Sequence, residues 1–149
     1  MKFNLYKLIY TCFGLGHISP YPGTVASFFT IIIIWIIQTH FTLQITMLFI
    51  LFVTLIGYIS VEKNPDNKSD PKEIVVDEFI GQSLVLVFLP LTYQDYILGF
   101  ILFRFFDIFK PMPINYFEKK YPNAFGVIFD DIIAAVYALL AIYIINNII

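Results

Sequence analysis

Charge and cysteine are what this sequence has least of, and each shortage removes a class of protein. Asp, Glu, Lys and Arg make up only 13% of the 149 residues, against 59% hydrophobic ones, and the mean hydropathy is +0.81. A water-soluble domain carries about a quarter charged residues, so this chain cannot cover an aqueous surface, and lipid is the solvent it fits. A net charge of −2 without a basic cluster excludes a nucleic-acid backbone as partner. The single cysteine, Cys12, excludes an intrachain disulfide, and no Cys/His zinc spacing is present. The stretch up to Phe13 is not expected to be a secretory signal, because no small-residue cleavage site follows it. Nor does Leu8-Ile9-Tyr10-Thr11 make a good lipoprotein signal ahead of Cys12. The length fits a single domain over residues 1–149.

Apolar segments are abundant. Five of them, 25–37, 43–60, 79–91, 96–109 and 127–145, predict an all-α, polytopic membrane bundle of about five helices. They are too long for strands. Only the second and fifth reach the roughly 17–20 residues that a crossing needs, so the others must recruit their flanks. Charge placement supports five crossings. Lys2 and Lys7 precede the first segment, Lys63, Lys68 and Lys72 follow the second, and Lys110, Lys119 and Lys120 follow the fourth. The loops near His40 and Tyr93 and the tail 146–149 carry no Lys or Arg. Basic residues in every second loop put the N-terminus in the cytoplasm.

The polar residues inside these segments carry the chemistry. Arg104 lies in a Phe-rich segment, where a charge costs roughly 3 kcal/mol or more unless it faces a bundle interior or a wet cavity. Arg104, Asp107 and Lys110 follow one another at i,i+3, which gives one helical face a cation, a carboxylate and a cation before Pro111 and Pro113 end the helix. A self-contained ion pair with a snorkelling lysine is the bland alternative. Two adjacent acid pairs stand out: Asp77-Glu78 opens the third segment, and Asp130-Asp131 lies one turn into the fifth. Neighbouring carboxylates repel unless a cation or protons compensate, and hard oxygen donors suit magnesium. Residues 14–24 form a Gly/Pro-rich entry to the first segment. They lack the Gly-Lys-Ser/Thr of a phosphate loop, but the amides of Gly23 and Thr24 at a helix start can bind an anion. Gly81, Ala134 and Ala138 read as close-packing positions. In the five-span topology all these polar stretches fall at one membrane face.

Those stretches resemble the phosphatidylglycerophosphatase A family. The Gly-rich opening that ends in Pro-Gly-Thr is residues 14–24, and Ile-Val-x-Asp-Glu-x-x-Gly is residues 74–81. Phe-Arg-x-x-Asp-x-x-Lys-Pro-x-Pro-Ile is residues 103–114, and Gly-x-x-x-Asp-Asp is residues 126–131. The likeness runs from about residue 13 to about residue 143. Departures are confined to Val76, Asn123-Ala124 and Ala135, and every charged motif position is kept. The resemblance implies a magnesium-dependent helical phosphatase that converts phosphatidylglycerophosphate to phosphatidylglycerol in bacterial phospholipid synthesis. It would act at the inner membrane with its site facing the cytoplasm.

On this reading Asp77, Glu78, Asp107, Asp130 and Asp131 supply one or two Mg2+ sites. Arg104 and Lys110 hold phosphoryl oxygens with help from Gly23 and Thr24, and all seven charged residues belong to the catalytic set. No Cys-x5-Arg or Asp-x-Asp signature exists, which leaves water or an Asp as nucleophile. His17 and His40 receive no role. Two rivals are a proton-coupled transporter, whose acids would lie near mid-membrane, and a non-catalytic scaffold, which would be indifferent to metal and to neutral substitution of Arg104.

Overall fold

The computed structural model describes residues 4–64 and 72–148. Lys2 and Lys68, which enter the charge-alternation argument, lie outside the described residues. Among the described residues there are seven α-helices and no strand. They are α1 (Leu5–Tyr10), α2 (Pro22–His40), α3 (Leu43–Glu62), α4 (Val76–Val87), α5 (Tyr93–Phe109), α6 (Ile114–Lys120) and α7 (Ala124–Ile148), with a 3-10 turn at Leu15–His17 before α2. Four of the five apolar segments lie wholly within helices, while 79–91 is helical only as far as Val87 and turns over residues 88–91. The β-branched run Ile31-Ile32-Ile33-Ile34 sits mid-helix despite its strand propensity, because only a helix satisfies every backbone group within one lipid-bathed segment. Hydroxyls in these helices bond back to the preceding turn, as Thr30 does to the Ala26 carbonyl and Ser60 to that of Ile56. Pro22 occupies the first turn of α2, where its missing N–H costs nothing.

Three helices, α2, α3 and α7, are long and apolar enough to cross a membrane. The expectation of about five spans is not met by helix length alone. The 12 residues of α4 cover about 18 Å and the 17 of α5 about 25 Å, against a hydrocarbon layer of roughly 30 Å. The reason for α4 is its position. It packs against α2, α3, α5 and α7, and ten of its twelve residues are buried. By contrast α5 turns a stripe of Ile97, Ile101, Phe105 and Ile108 outward. Gln38 closes the far end of α4 by donating to the Val87 carbonyl and accepting from the Tyr96 hydroxyl, while Trp35 stacks on Tyr93.

Small residues let these helices approach. Gly23, Ala26 and Ser27 are buried on α2, and Ala134 and Ala138 on α7 are fully buried near Phe103. The starts of α2, α4 and α7 and the end of α5 thereby meet at one end of the bundle. A cluster of Tyr10, Val61, Ile74, Val76 and Ile128 packs that end. Ile34, Ile50, Leu86 and Tyr96 pack the other.

Candidate active site

Three helix ends deliver the charged residues. The first turn of α4 carries Asp77 and Glu78, the second turn of α7 carries Asp130 and Asp131, and the last two turns of α5 carry Arg104 and Asp107. Asp77, Glu78 and Asp131 each place one carboxylate oxygen so that all three lie within 4.8 Å of one another. Asp131 is 3% exposed, and its Oδ2 is buried without a hydrogen-bond partner. Three carboxylates this close repel one another in a poorly solvated setting. The donor set is all oxygen and anionic, with an unsatisfied buried atom, and it fits a hard divalent cation such as magnesium.

The remaining charges form an outer layer. Arg104 Nη1 bonds Asp107 Oδ2 and lies 3.7 Å from Glu78 Oε1. Lys110 Nζ lies 2.7 Å from Glu118 Oε1 and 2.8 Å from Asp130 Oδ2. Burial pulls the Lys110 ammonium down, but the Asp130 and Glu118 carboxylates more than offset it, and the net shift is upward. The adjacent acids Asp130 and Asp131 therefore part company, one toward Lys110 and the other toward Asp77 and Glu78.

A cavity of about 440 Å³ opens beside the carboxylates, lined by residues 20–24, Lys72, Ile74, Asp77, Glu78, Arg104 and Ile108. Gly23 and Thr24 are thus in its wall. Lys110, Asp107, Asp130 and Asp131 are not among the lining residues. Cys12 is near enough to feel Asp77 and Glu78, but burial first and then those carboxylates push its thiol up to about 12. It stays protonated at neutral pH and cannot serve as a thiolate nucleophile. His17 Nε2 lies 3.5 Å from Glu73 Oε2, and His40 ends α2 at the far end of the bundle.

Three participants escape sequence reasoning. Glu118 binds Lys110 across a two-proline turn, an eight-residue separation with no helical periodicity to reveal it. Lys7 pairs with Glu73, 66 residues away, which only folding brings near. Lys72 lines the cavity, though its sequence context shows only one loop lysine among several. Its position two residues before the Ile74–Gly81 motif was the one available hint.

The family model of phosphatidylglycerophosphatase A matches residues 8–146. A Haemophilus influenzae protein named phosphatidylglycerophosphatase A is 38% identical over 143 residues, which cover 94% of this chain and 88% of that protein. An Escherichia coli protein of the same name is 33% identical over 147 residues, 97% of this chain and 85% of the relative. A Bacteroides thetaiotaomicron protein, named as a candidate phosphatidylinositol-3-phosphatase, is 35% identical over 146 residues, 91% of this chain and 89% of the relative. No solved structure matches.

Proposed function

The chain belongs to the phosphatidylglycerophosphatase A family and is a phosphatase, and from that footing we propose that it removes the terminal phosphate of phosphatidylglycerophosphate in a magnesium-dependent reaction. The convergence of Asp77, Glu78 and Asp131 beside a cavity shared with Arg104 is the observation that carries the proposal. A phosphate monoester carries nearly two negative charges, so its hydrolysis calls for neutralisation and alignment above all.

Asp77, Glu78 and Asp131 would hold magnesium, which when bound supplies positive charge against the phosphoryl oxygens. Arg104 reaches the same group with the donors not engaged by Asp107 and Glu78, and its fork suits a phosphoryl face. The amides of Gly23 and Thr24, at the start of α2, add donors without intrahelical partners. Asp107 and Asp130 act through the cations they hold, Arg104 and Lys110, and keep them oriented. Lys110 contributes positive potential from behind Asp130. The lipid tails stay among the outward apolar side chains of α2, α3 and α5.

In this reading α4 and α5 also cross, for five crossings of the bacterial inner membrane. Lys7, Lys63, Lys72, Lys110, Lys119 and Lys120 border the site end of their helices, which supports a cytoplasmic site by the positive-inside bias. The name of the Bacteroides relative raises phosphatidylinositol 3-phosphate as a second headgroup. It, too, carries a phosphomonoester beyond a phosphodiester.

Phosphate release from phosphatidylglycerophosphate, phosphatidylinositol 3-phosphate and phosphatidic acid, with magnesium or with EDTA, tests the proposal. Wild type should turn over the first selectively, EDTA should stop it, and added magnesium should restore it. Asp77→Asn and Asp131→Asn should each lower kcat by about a thousandfold while membrane insertion is retained, the scale lost with a central charge-stabilising group. Full activity in both variants would remove the metal role.

A further inference from the structure

The cations around the site are not equivalent. Lys7 Nζ lies 3.1 Å from Glu73, Arg104 bonds Asp107, and Lys110 bonds Glu118 and Asp130. Lys72 differs from all three. It is exposed, it lines the same cavity as Asp77, Glu78 and Arg104, and its ammonium forms no ion pair or hydrogen bond among the described residues.

Its place on the rim is held by the residues that follow it. The Glu73 carboxylate is fixed by Lys7 at 3.1 Å and by His17 at 3.5 Å. The Glu73 carbonyl rests against Gly16, where a β-carbon would overlap it. The Val75 N–H donates to the Tyr10 carbonyl at 2.9 Å. The chain beneath Lys72 is therefore anchored on α1 and the 3-10 turn, while no acid among the described residues neutralises its charge.

The proposed substrate carries two phosphates of different kinds, a terminal monoester and, one glycerol unit away, a singly charged diester. The monoester belongs at the carboxylates and Arg104. The diester then lies toward the cavity mouth, where its charge requires a cation that no acid has already taken. We infer that Lys72 is a specificity-determining residue whose ammonium binds the phosphodiester of the headgroup. This inference rests on the proposed function. It adds that the enzyme recognises a monoester and a diester together, so a lipid with a monoester alone, such as phosphatidic acid, forfeits one of the two anchors.

The test uses the full chain in detergent micelles, comparing wild type, Lys72→Ala and Lys72→Arg. With phosphatidylglycerophosphate, Lys72→Ala should raise KM by about tenfold and leave kcat within about twofold, the pattern of an interaction made equally in ground and transition states. Lys72→Arg should restore most of the affinity. Inhibition by glycerophosphoglycerol, a diester alone, should weaken in Lys72→Ala, while inhibition by glycerol 3-phosphate, a monoester alone, should not. A wild-type KM in Lys72→Ala, or equal weakening of both inhibitors, overturns the role of Lys72 and leaves the phosphatase reading intact. Failure of wild type to release phosphate from phosphatidylglycerophosphate overturns that reading, and this inference with it.

Discussion

Gly23 shows how little room the charged side chains have. A β-carbon there would overlap Glu78 Oε1, sit 2.7 Å from Glu78 Cδ and lie 3.2 Å from Arg104 Nη1. The atoms in the way are the ends of flexible side chains, so Gly23→Ala should fold, but only with Glu78 displaced from Asp77 and Asp131. A shift of about 1 Å in a reacting constellation costs on the order of a hundredfold. We therefore expect a 10- to 100-fold fall in kcat, by an order-of-magnitude estimate, with an unfolding temperature close to wild type. Unchanged phosphate release in Gly23→Ala would mean that the placement of Glu78 is unimportant. Asp130 and Asp131 teach the same lesson from the other side. They are chemically identical neighbours, yet one is bound by Lys110 and the other joins the carboxylate group.

The connection from α5 to α6 is the element that separates those two aspartates. Lys110 caps α5 in the left-handed region at φ 42°, an uncommon conformation for a residue with a β-carbon. That reversal aims its side chain at Asp130 on α7 and Glu118 on α6. Lys110→Ala keeps the β-carbon, and so the backbone cost, while it leaves Asp130 buried without its cation. Breaking a buried pair costs about 3–5 kcal/mol. Because the Lys110 side chain is 24% exposed, a loss of about 2–3 kcal/mol is the appropriate discount. Thermal unfolding in detergent should show this loss, and Asp130→Asn in the same chain should recover part of it. A variant as stable as wild type would show that the pair contributes nothing to the fold.

At the scale of the molecule the question is which helices traverse the bilayer. If α2, α3 and α7 alone crossed, the α4–α5 turn would lie on the same side as the site. If α4 and α5 cross as a hairpin, the turn lies on the opposite side. Gln94 is exposed at that turn and Lys119 is exposed at the end of α6. In a Cys12→Ala background, Gln94→Cys should react with a membrane-impermeant maleimide in spheroplasts. Lys119→Cys should react only after the membrane is opened. Protection of Gln94→Cys in intact spheroplasts would rule out the five-crossing arrangement. Packing against α2, α3, α5 and α7 explains how a helix of only 12 residues, α4, keeps ten of them buried. Gln38 supplies a donor to the Val87 carbonyl at its last turn, and protein packs around it.

Composition and spacing were enough to read an apolar helical chain, with helices long enough to cross a membrane and with acids and one arginine gathered at one end. Both follow from local physics. Lipid forces backbone hydrogen bonds into helices, and the i,i+3 ladder of Arg104, Asp107 and Lys110 is a property of a single helix. Helix lengths were less legible, because an apolar run does not say whether its neighbours are lipid or protein. The apolar run 79–91 is nearly as short as the 12-residue α4, yet α4 starts and ends three to four residues earlier than the run does. Pairings between elements were not legible at all. That Asp131 joins Asp77 and Glu78, that Asp130 and Glu118 bind Lys110, and that Lys72 stands at the cavity rim depend on helix rotations and on the reversal at Lys110. Those come from packing across the whole bundle, where side chains distant in the chain compete for the same few ångströms.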